Sequence, residues 1–455
     1  MARQSYDVGE SCNQRPTSIN DNTQIVPMAL LNIYILTFNC ARAIVDVEPF
    51  ASQFFAGLST PKLPDIVVLS LQELAPISRS FVGSFLLAPY FGRFQHAVQN
   101  AARKLSGEDD DSYTLISARS VGMTGIMIFV RDPSAVRDLE TGGVGVGIAE
   151  MGNKGAVGAR FTYHRGDAYT ELSFVAAHLA AMEGAVLRRN EDWKNIVRRL
   201  VFASSTKDGG VAMAGEDRPL LSISAHDASI YKSTSHLFLA GDLNYRTSST
   251  KPSAADYGNS FPQLGHASLT PFFERDQLTR ERTAGRTCHG FVEAPISFPP
   301  TYKYLPKGPF LTPDAELSKW HWATHRWPSW CDRILYLDIP PWLKSQASDA
   351  VITVHKYTAL PLLSSSDHRP VALDLSLPLI PIPEPDEEET DDPRAKPPFN
   401  VDVNWKSRRD RARVLELISG SSLYLTTTAE GGGLMLAMVV GAVGAYLVVK
   451  ALLEY

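Results

Sequence analysis

The chain has little cysteine, no strong excess of charge of either sign and no apolar N-terminus, and each shortage removes a class of protein. Cys12, Cys40, Cys288 and Cys331 are the only four cysteines in 455 residues and form no CxxC pair, so neither a zinc site nor a disulfide framework is expected. A reduced, cytosol-facing protein fits that usage best. Basic residues number 44 against 49 acidic ones, a net charge of −5, so the surface as a whole exerts no general pull on nucleic acid. Any preference for anions must come from a local pocket. The opening MARQSYDVGESCNQRP lacks the apolar core of a signal peptide. We find no internal repeat, and residues 1–29 are expected to be disordered. What the sequence does hold is apolar content of 44%, ample for one large or two ordinary domains.

One long apolar run stands apart. Gly431 to Val449 is uncharged and, as a helix rising about 1.5 Å per residue, nearly covers a hydrocarbon layer of about 30 Å. With only six residues after it, the run reads as a tail anchor that leaves the large domain on the cytosolic side; the alternative is a buried terminal helix. A short span with little positive charge beyond it suits a thin bilayer such as that of the endoplasmic reticulum. Before it, residues 379–430 read as a linker. LPLIPIPEPDEEETDDPRAKPP is stiffened by proline and crowded with acids, so no core is expected there. Trp405 to Arg413 (WKSRRDRAR) is basic, and either rests on anionic lipid or forms a solvated helix.

The remainder, residues 30–378, is built from short apolar runs that fit buried strands. These are Ile33–Phe38, Ile66–Leu71, Gly125–Val130, Ala156–Phe161, Leu172–Ala177, His236–Ala240, Ile334–Leu337 and Val371–Leu375. A helical pattern covers Val186 to Phe202. The expected fold is an α/β two-sheet sandwich flanked by helices. Polar residues stand repeatedly where a run stops: Asn39, Glu73, His178, Asp242 with Asn244, Asp332, and Asp367 with His368. Strand ends from two sheets can meet in one cleft.

Such a cleft has a definite chemistry. Asn39, Glu73 and Asp367 offer neutral and anionic oxygens, a set suited to a hard cation, Mg²⁺ above all. Asp242 and Asn244 alternate along an extended segment, so one is placed to take a proton from water while the other donates a hydrogen bond. His368 can act on a phosphoryl oxygen, with a carboxylate such as Asp332 fixing its tautomer. Arg333, beside Asp332, is either a substrate contact or a structural brace. Together these groups describe hydrolysis of a phosphate ester.

GDLNYR (241–246), PTYKY (300–304), PSWCDRILY (328–336) and SDHRPV (366–371) resemble the motifs of the inositol polyphosphate 5-phosphatases, a branch of the endonuclease/exonuclease/phosphatase superfamily. GNKGAV (152–157) and AHLAA (177–181) match as well. The resemblance covers roughly residues 30 to 378 and implies an Mg²⁺-dependent phosphatase with a two-sheet α/β fold. With the terminal apolar run it points more narrowly to fungal membrane-anchored members acting on phosphatidylinositol 4,5-bisphosphate. It assigns Glu73 and Asn39 to the metal with Asp367 beside it, Asp242 to activation of water, and Asn244 to placing that water or the transition-state oxygens. Asp332 is expected to orient His368, and His368 and His178 to contact the scissile 5-phosphate. Tyr302, Lys303 and Arg326 are expected to grip the 4-phosphate.

Two departures from that pattern are visible. FNCAR has Ala41 and Arg42 where many members read Asn and Gly, and Thr324 replaces a lysine often found ahead of PxWCDR, so that either the 4-phosphate grip is weaker or His325 shares it. The alternatives are a sphingomyelinase-like phosphodiesterase, a nuclease of the same superfamily, and a silent phosphoinositide-binding module. The missing basic face opposes the nuclease, and the retention of every proposed catalytic side chain opposes the silent module.

Overall fold

The computed structural model describes residues 28–107, 112–204, 226–262, 269–305, 320–385 and 390–454. Most of the span expected to be disordered, residues 1–27, lies outside them. Twelve described strands form two six-stranded sheets. One contains β1 (Leu30–Asn39), β2 (Ile66–Gln72), β3 (Thr114–Val121), β4 (Thr124–Val130), β11 (Thr353–Ala359) and β12 (Val371–Pro378), in the order β11-β12-β1-β2-β4-β3. The other contains β5 (Val136–Gly145), β6 (Gly155–Arg165), β7 (Ala168–His178), β8 (Ala203–Ser204), β9 (Ser235–Asp242) and β10 (Asp332–Tyr336), in the order β10-β9-β7-β6-β5-β8. All eight runs read from the sequence are strands.

Period-two alternation explains the layering. Ile33 and Ile35 point between the sheets, where they meet Phe161, Phe174, Phe238 and Leu375, while Tyr34 and Leu36 face outward. The outward face of the first sheet is covered by α1 (Val47–Phe54) and α3 (Ala88–Ser106), with α2 (Ile77–Val82) in the connection between β2 and α3. The second sheet is covered by α4 (Val186–Arg199), whose Trp193, Ile196 and Val197 share one face and pack on Val175, Leu237 and Leu239. Central strands such as β2 and β9 are buried along their whole length, because both of their faces are covered. Ser70 on β2 donates to the Ala240 carbonyl of β9 at 2.8 Å, joining the sheets near the ends that carry polar residues.

The expected linker is a correction. Leu379 and Ile382 are buried, Ile382 against Ile339 and Leu343, and Trp342 Nε1 donates to the Pro383 carbonyl at 2.8 Å. Arg394 is buried too, chelated by Asp392 and donating to the Asp338 carbonyl at 2.7 Å. Proline keeps this strap extended, and an extended chain still buries alternate side chains on the domain. After it comes α5 (Trp405–Thr427), which lies against α2 with Ala412, Glu416 and Gly420 buried at four-residue spacing. Two of its basic residues face protein rather than lipid: Arg408 pairs with Glu150 at 2.7 Å and Arg413 donates to the carbonyls of Phe81 and Val82. The last helix, α6 (Ala429–Leu453), is the one described helix long and apolar enough to cross a membrane, and its apolar window is not buried.

Candidate active site

Strand register assembles the site. Parallel pairing of β7 with β9 sets His178 opposite Asp242, and antiparallel pairing of β9 with β10 sets Asp332 opposite Asp242. Directly opposed residues share a face, so three titratable groups converge at one sheet end. From the other sheet, β1 ends at Asn39 opposite Gln72, the residue before Glu73. Both turns out of the strands are sharp: Glu73 has φ 45° and Asn244 φ 58°. The left-handed region costs residues with a Cβ roughly 1–2 kcal/mol, and proteins retain such strain chiefly where function needs it. Asn244 is therefore not on an extended segment, contrary to the sequence expectation.

Asn39, Glu73, His178, Asp242 and Asn244 line a cavity of about 350 Å³ together with His368, Lys154, Arg246, Tyr302, Lys303 and Asp367, and Asp332 lies behind His368. Asp242 is its centre. One carboxylate oxygen accepts from Asn39 Nδ2 at 2.9 Å and lies 3.3 Å from His178 Nε2 and 4.0 Å from His368 Nε2; the other accepts from the Asn244 amide at 3.1 Å. Burial alone would raise its pKa, but the His178 hydrogen bond and the His368 and Lys154 charges outweigh burial and hold Asp242 ionised. His368 Nδ1 lies 2.8 Å from Asp332 Oδ2, which also accepts from Thr301 Oγ1 at 2.7 Å. Burial opposes the imidazolium, yet the Asp332 charge and hydrogen bond, with Asp242 and Asp367, lift His368 to about 9. His178 goes the other way. Burial and the adjoining Lys154 ammonium lower its pKa, so the two histidines are set in opposite protonation states at neutral pH.

The sign of a pH effect follows. His368 is raised from an unperturbed value of about 6.5, so its contribution to stability is fully present below that pH and is lost as pH rises through about 9. Urea unfolding at pH 7 and pH 10 is expected to show a stability loss that shrinks in His368→Gln. Equal losses in both proteins would contradict the assignment.

The oxygen donors fit a hard cation. Glu73 and Asn39 face the cavity with Asp242, and no cysteine lines it. Asp242, Asp332 and His368 also bring ligand atoms within 4.8 Å of one another. That trio suits proton handling better, because a protonated imidazole clamped by Asp332 has no lone pair left for a metal. Asp367 also lines the cavity, with its carboxylate 2.6 Å from Lys303 much as Glu73 stands 3.1 Å from Arg42.

Several other expectations change. Arg333 is no substrate contact: it is fully buried, 2.9 Å from Asp276 and 2.6 Å from Glu293, facing away from Asp332 as neighbours on a strand must. Asn244 lines the cavity, but its side-chain amide donates to the Leu179 carbonyl and accepts from Arg246; what reaches Asp242 is its backbone N–H. Arg326 pairs with Glu183 at 3.6 Å and is not among the lining residues, whereas Tyr302 and Lys303 are. The Tyr302 ring is packed between His368, 4.5 Å away, and the Arg246 guanidinium at 4.3 Å. Burial, then Lys303 and Arg326, lower the His325 pKa, which places His325 in the field of that pair. Arg42, where the resembled motif has glycine, takes φ 66° and sets its guanidinium 3.1 Å from Glu73. The left-handed turn explains why glycine suits that position.

Lys154 and Arg246 were missed as site residues, although both sit inside quoted motifs. Lys154 is close enough to His178 to hydrogen-bond it, and Arg246 grips Asn244 through its carbonyl at 3.0 Å and its side chain. The available signal was a single basic residue inside each of two quoted motifs, GNKGAV and GDLNYR.

A converging pair of sheets with an Asp–His–Asp cluster and a hard-cation donor set defines a phosphoesterase-type centre. Residues 36–374 match the model of Endonuclease/Exonuclease/phosphatase family 2, and the chain belongs to that family. It is 34% identical over 237 residues to type I inositol polyphosphate 5-phosphatase 4 of Arabidopsis thaliana, covering 50% of this chain and 38% of that protein. It is 30% identical over 375 residues to the polyphosphatidylinositol phosphatase INP53 of Saccharomyces cerevisiae, covering 81% of this chain but 28% of that one. The chain thus spans well under half the length of either relative. Among solved structures it is similar to the inositol polyphosphate 5-phosphatase domain of SPsynaptojanin, with TM-score 0.55 and 23% identity over 86% of this chain and 93% of that one, a likeness of fold.

Proposed function

We propose that the chain is an Mg²⁺-dependent phosphoinositide 5-phosphatase, converting phosphatidylinositol 4,5-bisphosphate and water to phosphatidylinositol 4-phosphate and inorganic phosphate. Its catalytic unit is residues 30–378 with the strap and α5 packed on it, α6 is its anchor, and it works on the cytosolic face of the endoplasmic reticulum. The observation that carries this reading is Asp242, held ionised between His178 and His368 in a cavity that also presents Lys154, Arg246 and Lys303 to an anion. The printed names of the relatives, inositol polyphosphate and polyphosphatidylinositol phosphatases, support the substrate class.

Mg²⁺ on Glu73 and Asn39 would supply neutralisation of charge on the phosphoryl oxygens. Asp242 takes a proton from the attacking water as it reaches phosphorus opposite the inositol oxygen, whose bond to phosphorus breaks, and that oxygen leaves as the inositol hydroxyl with a proton drawn from solvent. His368, kept charged by Asp332, and Lys154 donate to the phosphoryl oxygens as negative charge builds there. Lys303 holds the 4-phosphate, and Tyr302 fixes the wall against which His368 rests. Arg326, tied to Glu183, contributes charge rather than contact.

A panel of phosphoinositides in vesicles, assayed with Mg²⁺ and after chelation, tests this reading. Phosphate release is expected only from lipids with a 5-phosphate and only with the metal. Equal rates on lipids with and without a 5-phosphate would overturn it.

A further inference from the structure

We infer that Glu416, on the helix leading to the membrane anchor, is a positioning residue for the active site. Glu416 lies on α5, far in sequence from every motif, yet it is buried, and its Oε1 accepts from the Gly152 amide at 2.7 Å. Gly152 opens the GNKG turn, two residues before Lys154 in the cavity. The Gly152 carbonyl in turn accepts from the Met123 amide at 2.9 Å, and the Met123 carbonyl from the Leu74 amide at 3.1 Å. Leu74 follows Glu73. One hydrogen-bonded ladder therefore runs from α5 through two loops to both the carboxylate expected to hold the metal and the lysine beside His178.

The seat of the ladder is built closely. Glu416 Oε2 accepts from Arg413 at 3.0 Å, and Arg413 donates to the carbonyls of Phe81 and Val82, fixing α5 to the segment after Glu73. A Cβ at Gly420 would stand 2.6 Å from Phe81 Cβ, so the helix approaches more closely than a larger residue allows. A Cβ at Gly122 would stand 2.2 Å from the Gly152 carbonyl, so the middle of the ladder is equally tight. Arg408 and Arg199 both pair with Glu150 at 2.7 Å on the same loop. The helix that joins α6 to the domain is thereby a wall of the catalytic loops. Glu416 neither lines the cavity nor touches a reacting atom; it acts through Gly152.

The inference rests on the phosphatase reading only for its kinetic readout. The full chain in detergent micelles is compared as wild type, Glu416→Ala and Glu416→Gln. Two quantities are read: kcat for phosphate release at saturating Mg²⁺, and hydrogen exchange of the 147–154 segment, which needs neither substrate nor metal. Removing a charge-assisted hydrogen bond to a buried amide is expected to speed exchange and to lower kcat, each by about tenfold. Glu416→Gln keeps an acceptor for Gly152 and is expected to restore both to within about threefold of wild type. Unchanged kcat in Glu416→Ala alongside faster exchange would overturn the inference, as would a Gln variant as impaired as Ala. If Glu416→Ala does not fold, Gly420→Ala, which lifts the helix from Phe81 without touching Gly152, carries the same expectations. Wild-type protein silent toward every phosphoinositide would count against the function instead, and the exchange comparison would still decide whether α5 holds the loop.

Discussion

Asp242→Asn is expected to lower kcat for phosphate release about a thousandfold, the middle of the range for losing a general base, with little change in the thermal midpoint. Asparagine keeps the shape of the side chain and one of its two acceptors, enough for Asn39 Nδ2 or the Asn244 amide but not both, while the backbone pairing of β9 with β7 and β10 holds the strand end. The negative charge is lost, and with it the ability to take a proton from water. Asp242 is also a source of the field that keeps His368 charged, so the same substitution weakens a second group. Steady-state rates and melting curves on one preparation separate the two effects. A loss below about tenfold would show that another group is the base.

Arg333→Met carries the largest expected effect on stability. Two carboxylates, Asp276 and Glu293, face one guanidinium in a fully buried setting, and Tyr357 donates to Glu293 at 2.9 Å. Removing one partner of a buried pair strands the other charge and costs about 3–5 kcal/mol. Methionine fills much of the volume but satisfies neither acid. Chemical unfolding at neutral pH is expected to show this loss. A loss under about 1 kcal/mol would mean that water reaches the site.

The contrast between Asp332 and Arg333 shows what a sequence carries. An apolar run fixes which residues lie on which face, so the opposite directions of two neighbours were legible as strand alternation. The partners were not, because Asp276 and Glu293 lie 57 and 40 residues away in segments with no periodic signal. The same logic sorts the site. Asn39, Glu73, His178, Asp242, Asp332 and His368 stand where apolar runs end, and the ends of a sandwich converge. The left-handed turn at Asn244 left no trace in spacing, and so its side chain was pointed the wrong way. Strand β5 is not among the runs read from the sequence, because Gly142, Gly143 and Gly145 break up its apolar pattern, yet they allow close approach to Val201, Val121 and Glu150.

The region past residue 378 was the least legible. Its prolines and acids carry the composition of a free linker, yet Ile382 and Arg394 are buried and Glu416 reaches a catalytic loop. Composition reports how much apolar surface a segment can bury by itself, not whether a finished domain offers it a seat. The WKSRRDRAR stretch read as either lipid-facing or solvated for the same reason: Glu150 and the carbonyls of Phe81 and Val82, which take Arg408 and Arg413, come from the tertiary fold.

Hydrolysis of phosphatidylinositol 4,5-bisphosphate vesicles in ¹⁸O-water, with both products analysed, goes to the heart of the proposed chemistry. Attack by an Asp242-activated water on the 5-phosphorus gives inorganic phosphate carrying one ¹⁸O atom and unlabelled phosphatidylinositol 4-phosphate. Label in the inositol hydroxyl, release of an inositol phosphate with diacylglycerol, or loss of the 4-phosphate would contradict it.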